Sequence, residues 1–592
     1  MSDRQAQQKS KTILIRDEIH DYIRVEDQKE RSIIQSRLFQ RLRRISQNAL
    51  ASYTYPTLNV SRFEHSLGVM HLAGKIITTA LTNKDPYTKR STQLFLNQCK
   101  HEFTELARSQ KQKIKIGKDI EEQIQQVVRL AALLHDIGHL PFSHAGEDGV
   151  ASRANIILSR EEYQDFDASS LRYHEFATMK LIDKNDNELG ETLGELKTLV
   201  LAVIKPPDAQ SVFNTLKHVI NADVDADRGD FILRDGSQVG REFGRYDISR
   251  IVDSMRIYYD DAKKRFHILP TYVSLSVLER FLSERYNLYK WVYYHHQVKF
   301  SDTAVSRLLE LFLNDGVLED WPAFIRNYIR AERKKLHFMR YVEANGHTTD
   351  DYWLVSVFRK IFQKLSKTKK GQYKDSMKEA YRLLQHILFR KKVATCLWKG
   401  NLDFVDFSEN FVYDPLKEAI IEAVQEQSPG SRIISDPPSI AVINKYKPVV
   451  GNFLATGVPE YELAQIEYSI NREITAKVGN HYRVLLVPVP LKVFKEDSLG
   501  LLMKNEREQR YDTVTVGQVS PLLNHIQSAH FWDVGFYAYI LHLDEFQEIK
   551  DSTLLRQIKE SVAKSWVKTL QDKAFISMES IKRWEESYGP SV

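Results

Sequence analysis

LAALLHDIGHLPFSH, residues 130–144, runs from an apolar stretch directly into His135-Asp136, His139 and His144. A carboxylate beside a buried helix is costly unless a cation or donors compensate it. The histidines around Asp136 point to a cation. His135 and His139, four residues apart, project on the same side of a helix or its terminal turn, with Asp136 one step around. Upstream, Ile120, Ile124, Val127, Val128, Leu130, Leu133 and Leu134 have the spacing of a core helix over Ile120–His135, which Gly138 and Pro141 stop. In a second helical pattern, Phe63–Leu81, His65 recurs in register with Val69, Leu72 and Ile76, so His65 faces the core. With Asp227 of VDADR (224–228), His65, His135 and Asp136 make a two-histidine, two-carboxylate shell suited to divalent Mn, Fe, Ni, Zn or Mg. A lone histidine on a helix is usually a hydrogen-bonded core or surface residue. Here seven of 19 histidines fall between positions 65 and 174, and that clustering favours a site.

Composition sets the frame. At 592 residues the chain exceeds one ordinary core. Its 42% hydrophobic and 27% charged residues are those of a soluble globular protein. No apolar run reaches membrane-spanning length and the N-terminus has no signal-peptide pattern, so no membrane partner is expected and a cytoplasmic location is the default. Cys99 and Cys396 alone cannot build a disulfide framework or a cysteine zinc site, which leaves any metal to histidines and carboxylates. The net charge of +6 is uneven: 18 Lys or Arg face 6 Asp or Glu between Arg326 and Lys392. Such a block attracts phosphates, free or in nucleic acid, although a solvated helical surface would look the same.

Helical spacing also covers Arg37–Gln47, Tyr173–Ile182, Val212–Val219, Val273–Tyr294, Thr303–Leu313 and Leu336–Leu397, the last interrupted at 367–371. The fold class is therefore mainly α. Ser428-Pro429-Gly430 and Asp436-Pro437-Pro438 are the clearest break. Beyond them Ile440–Ile443, Tyr482–Val489 and Phe536–Leu543 are β-rich, and Leu554–Trp566 is helical. The expected domains are a polar tail (1–11), a helical body (12–320), a helical, basic extension (321–430) and a smaller C-terminal α+β module (431–592).

RFEHSLGV (62–69), HDIGHLPFSH (135–144), Tyr173-His174-Glu175 and DADRGDFILRD (225–235), in this order, resemble the HD-domain phosphohydrolases. More closely they are similar to the deoxynucleoside triphosphate triphosphohydrolase branch, which includes bacterial dGTPases and the human sterile-alpha-motif and HD-domain enzyme. The resemblance covers about half the chain, and makes 12–320 an HD-domain helical core. It implies that His65, His135, Asp136 and Asp227 hold a divalent metal, which would polarise a phosphoryl oxygen and acidify a water. It further implies that His139 and His144 contact the α-phosphate, with His144 protonating the leaving 5′ oxygen. His174 and Glu175 form an additional His–Glu pair, the carboxylate orienting the ring. Arg62, Arg228 and Arg285 face the triphosphate, and Gln47, Asn48, Phe231, Asp235 and Tyr293 face the sugar, Asp235 at its 3′ hydroxyl.

The chain departs from the human-type pattern at the sugar, where Asn48 replaces a leucine and Phe231 a tyrosine, which leaves discrimination against ribose open. It departs at the activator site too, where Gln35 replaces an aspartate, while Gln40 and Arg43 remain. The reading is hydrolysis of nucleoside triphosphates, dNTPs foremost, to nucleoside and inorganic tripolyphosphate. Two rivals stand beside it: an HD phosphodiesterase or nuclease gripping single-stranded nucleic acid through 326–392, and a nucleotide-sensing interaction protein with little catalysis. The family implies a homo-oligomer, dimer or tetramer.

Overall fold

The computed structural model describes residues 12–110, 119–151, 172–183, 188–334, 349–368, 373–412, 414–415, 460–489, 499–523, 536–547, 549 and 552–572. The tail expected at 1–11, the break at 428–438 and the strand at 440–443 lie outside them. The chain is mainly α with small sheets. Among the described residues no helix is long and apolar enough to cross a membrane.

Two compact units divide the chain: Met1–Tyr293 with Val305–Gln363 and Phe494–Asn524, and Tyr294–Ala304 with Lys364–Val493 and His525–Val592. They cut across the boundaries read at 320 and 430. In the first unit Gly500–Asn505 pairs antiparallel with Arg510–Thr515. That hairpin is fastened far back in the sequence, Tyr511 donating to Asp85 Oδ2 (2.6 Å) and Ser520 to Glu279 Oε1 (2.6 Å). Local periodicity carries no trace of such long-range contacts.

Within the first unit the axis is α1 (Arg62–Thr82), buried on nearly every side. It packs against α2 (Ile120–Leu134), whose N-terminus is capped by Asp119 and whose last eight residues are all buried. The all-apolar end read from the sequence is thus the core, each fully buried leucine contributing about 1.5–3 kcal/mol. Then follow α3 (Ser143–Ala151), α4 (Tyr173–Asp183) and α5 (Ala226–Val239), the last capped by Asp225, which accepts from Arg228 N (2.6 Å).

Three expectations change. The helix read over Arg37–Gln47 stops at Arg41 and tightens into a 3₁₀ turn, Leu42–Arg44, because the next residues pair with the chain entering α1: Arg62 N donates to Ile45 O and Gln47 N to Val60 O. Val273–Tyr294 is the helix α6 (Leu275–Leu288) followed by a π-helical turn, Tyr289–Tyr293, a local widening to i→i+5 hydrogen bonds frequent at functional sites. Two hairpins, Ile13–Asp17 with Asp21–Val25 and Met255–Asp260 with Arg265–Pro270, interrupt the helical body.

In the second unit Phe536–His542 is the central strand between Ala394–Cys396 and Tyr482–Pro488, antiparallel to both. All seven of its residues are buried, as a strand covered on both faces requires. Helix Glu460–Val478 packs on Tyr482–Pro488 and on helix Ser552–Asp572. Trp398 stacks on Phe407 and Phe536 on Trp566, both with centroids 4.2 Å apart, and these rings fill the core. This is an α+β arrangement, but its first strand comes from residues 394–396.

Candidate metal centre

α2 ends at Leu134 rather than at His135, so HDIGH is a turn, not a helical face. Its tightness depends on Gly138: a Cβ there would stand 2.3 Å from His174 O and 2.5 Å from Thr178 N. Gly138 N itself donates to Thr178 Oγ1 (3.0 Å). The glycine therefore lets α4, and with it His174, lie directly on the turn. Gly138→Ala is expected to lower unfolding stability by about 3 kcal/mol, within the upper range for forced overpacking; an unchanged denaturant midpoint would contradict this close approach.

The turn brings His135 and Asp136 to His65 of α1 and Asp227 of α5. His65 Nδ1 is held by Asp230 Oδ2 (2.9 Å) and His135 Nδ1 by Ala132 O (2.7 Å). Both rings thus present Nε2 to the same space. His65 Nε2 lies 3.0 Å from Asp227 Oδ1 and 3.7 Å from Asp136 Oδ2, and His135 Nε2 lies 3.3 Å from Asp136 Oδ1. Among the described residues both Nε2 atoms are buried without a hydrogen-bond partner. The ligand atoms of His65, His135 and Asp227 all fall within 4.8 Å of one another. Two unpartnered imidazole nitrogens, each fixed through its other nitrogen and facing two carboxylates, fit a divalent cation.

The charges agree with that fit. Burial would lower the His65 imidazole, but Asp227 and Asp230 overcome it and push it up to about 10. Burial would raise Asp227, but His65 and His135 bring it down to about 2. Asp136, which burial also raises, is held well below the usual carboxylate range by Arg62, His135 and His139. Both carboxylates therefore stay ionised, and the proton that they hold on His65 is the one a bound cation would displace. Asp230 is its anchor, since it also takes His20 Nε2 (2.7 Å) and Arg234 (2.8 Å), and Arg234 reaches Asp17 (3.0 Å). Gly68 makes room for Asp230: a Cβ there would sit 1.8 Å from its Oδ1.

A second cluster adjoins the first. Glu147 of α3, 4% exposed, receives three imidazoles through their Nδ1 atoms: His139, His144 (3.3 Å) and His174 (2.9 Å). His139 and His174 stack with centroids 4.0 Å apart, and His139 Nε2 stands 3.2 Å from Asp136 Oδ1. Burial would raise the Glu147 carboxyl, but His139 and His174 hold it well below its ordinary range. The pairing expected of His174 with Glu175 is corrected here: Glu175 instead accepts from Arg172 N (3.1 Å). Glu147 escaped the sequence reading, although its spacing of three from His144 places both on one helical face.

The arginines are also placed differently. Arg62, expected at the triphosphate, has its guanidinium on Asp136 (2.6 Å), Ser143 Oγ (3.0 Å) and Gln47 O (3.3 Å). Arg228 is turned to Asp225 and Ala222 O. Arg285, 7% exposed, keeps Nε and Nη1 without a hydrogen-bond partner among the described residues, with Asp223 at 3.8 Å. Of the three, Arg285 has donors left for an anion. At the expected sugar side, Tyr293 donates to Asp235 Oδ2 (2.6 Å), and Phe231 lies edge-on to Tyr293 at 6.3 Å. Burial raises the Asp235 carboxyl against the pull of Tyr293 and Asn48. Asp235 Oδ1, Asn48 Nδ2 and Gln47 Oε1 are buried atoms that complete no well-formed hydrogen bond among the described residues, the Asn48 amide lying near enough to Asp235 to pull on its carboxyl. The basic block is partly neutralised within the chain: Arg326 pairs with Glu319, Arg330 with Asp315 and Glu319, and Arg333 with Asp315.

The helical core gathers histidines and aspartates from four helices, α1, α3, α4 and α5, around a tight His-Asp turn, and residues 102–229 match the HD domain family. The chain carries an HD domain. It is 31% identical over 294 residues to an uncharacterized protein of Methanocaldococcus jannaschii, covering 50% of this chain and 48% of that one. It is 27% identical over 310 residues to the deoxynucleoside triphosphate triphosphohydrolase SAMHD1 homolog of Dictyostelium discoideum, covering 52% and 49%. The chain thus spans about half the length of these curated relatives. In fold it is similar to a phosphohydrolase from Bacteroides thetaiotaomicron, with a TM-score of 0.53 and 16% identity over 90% of this chain and 100% of that one.

Proposed function

We propose that the chain is a metal-dependent hydrolase of nucleoside triphosphates, dNTPs foremost, that releases nucleoside and inorganic tripolyphosphate. The observation that carries this reading is the adjacency of two clusters: unpartnered imidazole nitrogens facing Asp136 and Asp227, and three imidazoles oriented by one buried glutamate. His65, His135, Asp136 and Asp227 would hold the cation, with Mn or Mg in assays. When bound it would polarise a phosphoryl oxygen and lower the pKa of a water. The protein's own groups supply the rest. Glu147 keeps a proton on Nδ1 of His139, His144 and His174, so that Nε2 of His144 or His174 can meet a phosphoryl or leaving-group oxygen. His144, with half its side chain exposed, is the better placed to hand a proton to the departing 5′ oxygen. Arg285 offers donors to phosphate, while Asp235, Asn48 and Gln47 offer one donor and two acceptors to a sugar.

Product analysis by mass across the eight common nucleotides tests the reaction. Tripolyphosphate with free nucleoside is the expected result. Monophosphate with pyrophosphate, or no turnover with any divalent metal, would overturn it, and scission of labelled single strands would redirect the reading to a nuclease.

A further inference from the structure

Residues 349–351 reach the site from behind, all within the first unit. Asp351 accepts from Phe142 N through Oδ1 (2.7 Å) and from Ser46 N through Oδ2 (2.8 Å). Phe142 and Ser143 have φ of 59° and 49°, the left-handed region, which costs a non-glycine residue about 1–2 kcal/mol and persists only where surroundings enforce it. These two residues lie between His139 and His144. Ser46 directly precedes Gln47 and Asn48. One carboxylate therefore ties the histidine turn to the Gln47–Asn48 loop at the expected sugar side.

Two further links tighten the same joint. Ser143 Oγ donates to Ser46 O (2.6 Å) and accepts from Arg62 Nε, whose Nη1 holds Asp136 (2.6 Å). Arg41, fully buried, donates to Thr349 O (2.9 Å), Ile137 O (3.3 Å) and His139 O, so that it binds the segment to the carbonyls of the HDIGH turn. Burial lowers Arg41 to about 9 and raises Asp351 to about 7, the latter against the pull of the two N–H groups. Neighbouring Asp350 does something else: it takes Arg44 Nε (2.5 Å) and Trp353 N (2.9 Å) and makes neither of the Asp351 contacts.

We propose that Asp351 is a positioning residue that sets the spacing between the histidine turn and the Gln47–Asn48 loop, and so governs kcat; the kinetic part rests on the reaction proposed above. The full chain carrying Asp351→Asn is compared with Asp350→Asn and Asp351→Glu by hydrogen exchange, Mn²⁺ titration and kinetics. In Asp351→Asn the amides of Phe142 and Ser46 are expected to exchange about tenfold faster or more, and kcat to fall by about 10- to 100-fold, the scale of a 1 Å misplacement. Mn²⁺ affinity should stay within about threefold, because the four proposed ligands keep their own supports. Asp350→Asn should leave both amides and kcat near wild type. Asp351→Glu, which keeps a carboxylate, should fall between and serves the comparison if the asparagine variant does not fold. Unchanged exchange at both amides with unchanged kcat overturns the proposal. A wild-type chain without nucleotide turnover overturns the reaction instead, and the exchange comparison then decides the positioning role alone.

Discussion

Asp136→Asn is expected to cut nucleotide turnover by about 1,000-fold or more, equivalent to ~4 kcal/mol of barrier, and to remove tight Mn²⁺ binding while the chain still folds. The size follows from how the carboxylate is held. Asp136 Oδ2 is occupied by Arg62 (2.6 Å), whereas Oδ1 faces His135 Nε2 (3.3 Å) and His139 Nε2 (3.2 Å). Because Arg62, His135 and His139 together outweigh burial and hold this carboxyl well below its ordinary range, it is an anion at any assay pH. Asparagine keeps an oxygen for Arg62 and loses the charge. The pocket then retains Asp227 as its one anionic member of the proposed four, and Arg62 becomes a buried cation without a counter-charge. That second effect costs up to about 3–5 kcal/mol of stability and is read separately in the unfolding midpoint. Calorimetric Mn²⁺ titration is the deciding measurement. An asparagine variant that binds Mn²⁺ like the wild type would remove Asp136 from the ligand set, whatever its turnover.

The core and the convergence of His65 with His135 and Asp136 were legible because their signals are local. An apolar helix that ends in His135-Asp136, and a histidine in register with Val69, Leu72 and Ile76, announce themselves at spacings of one to four residues. Gly138 was legible only as a helix stop; that it admits α4 became apparent once His174 O and Thr178 N were placed against it. Carboxylates that act at a distance were not legible. Asp230 orients His65 across 165 positions, Asp351 reaches Phe142 across 209, and Glu147 serves His174 across 27. Charged residues of this kind look like solvated surface in one dimension, because only tertiary packing buries them. The resemblance assigns Arg62 and Arg228 to substrate, and within the fold each guanidinium also makes a charge-assisted hydrogen bond, Arg62 to Asp136 across 74 positions and Arg228 to Asp225 three residues before it.

Glu147→Gln is expected to lower kcat by about 100-fold or more while Mn²⁺ affinity and KM change little, because a misplaced imidazole proton is among the costlier single errors in proton-transfer sites. Three rings share two carboxylate oxygens: His139 on Oε1, and His144 (3.3 Å) and His174 (2.9 Å) on Oε2. An ionised carboxylate accepts from all three. A glutamine offers one accepting oxygen and presents N–H to whatever faces its nitrogen, so at least one Nδ1 must give up its proton or its ring must turn. On His144 or His174 either change moves the proton pattern on Nε2, the nitrogen that would meet phosphate, without touching His65, His135, Asp136 or Asp227; His139, whose Nε2 stands 3.2 Å from Asp136 Oδ1, is the one ring of the three that adjoins a proposed ligand. The substitution therefore separates proton transfer from metal binding. Imidazole nitrogen shifts in ¹⁵N-labelled protein should report an altered tautomer on at least one of the three histidines, and Glu175→Gln should leave kcat within about twofold, since among the described residues Glu175 accepts from Arg172 N and from none of the three imidazoles. If Glu147→Gln kept full kcat, or lost Mn²⁺ in the same proportion as turnover, the three histidines would be a structural cluster and proton delivery would have to come from another group.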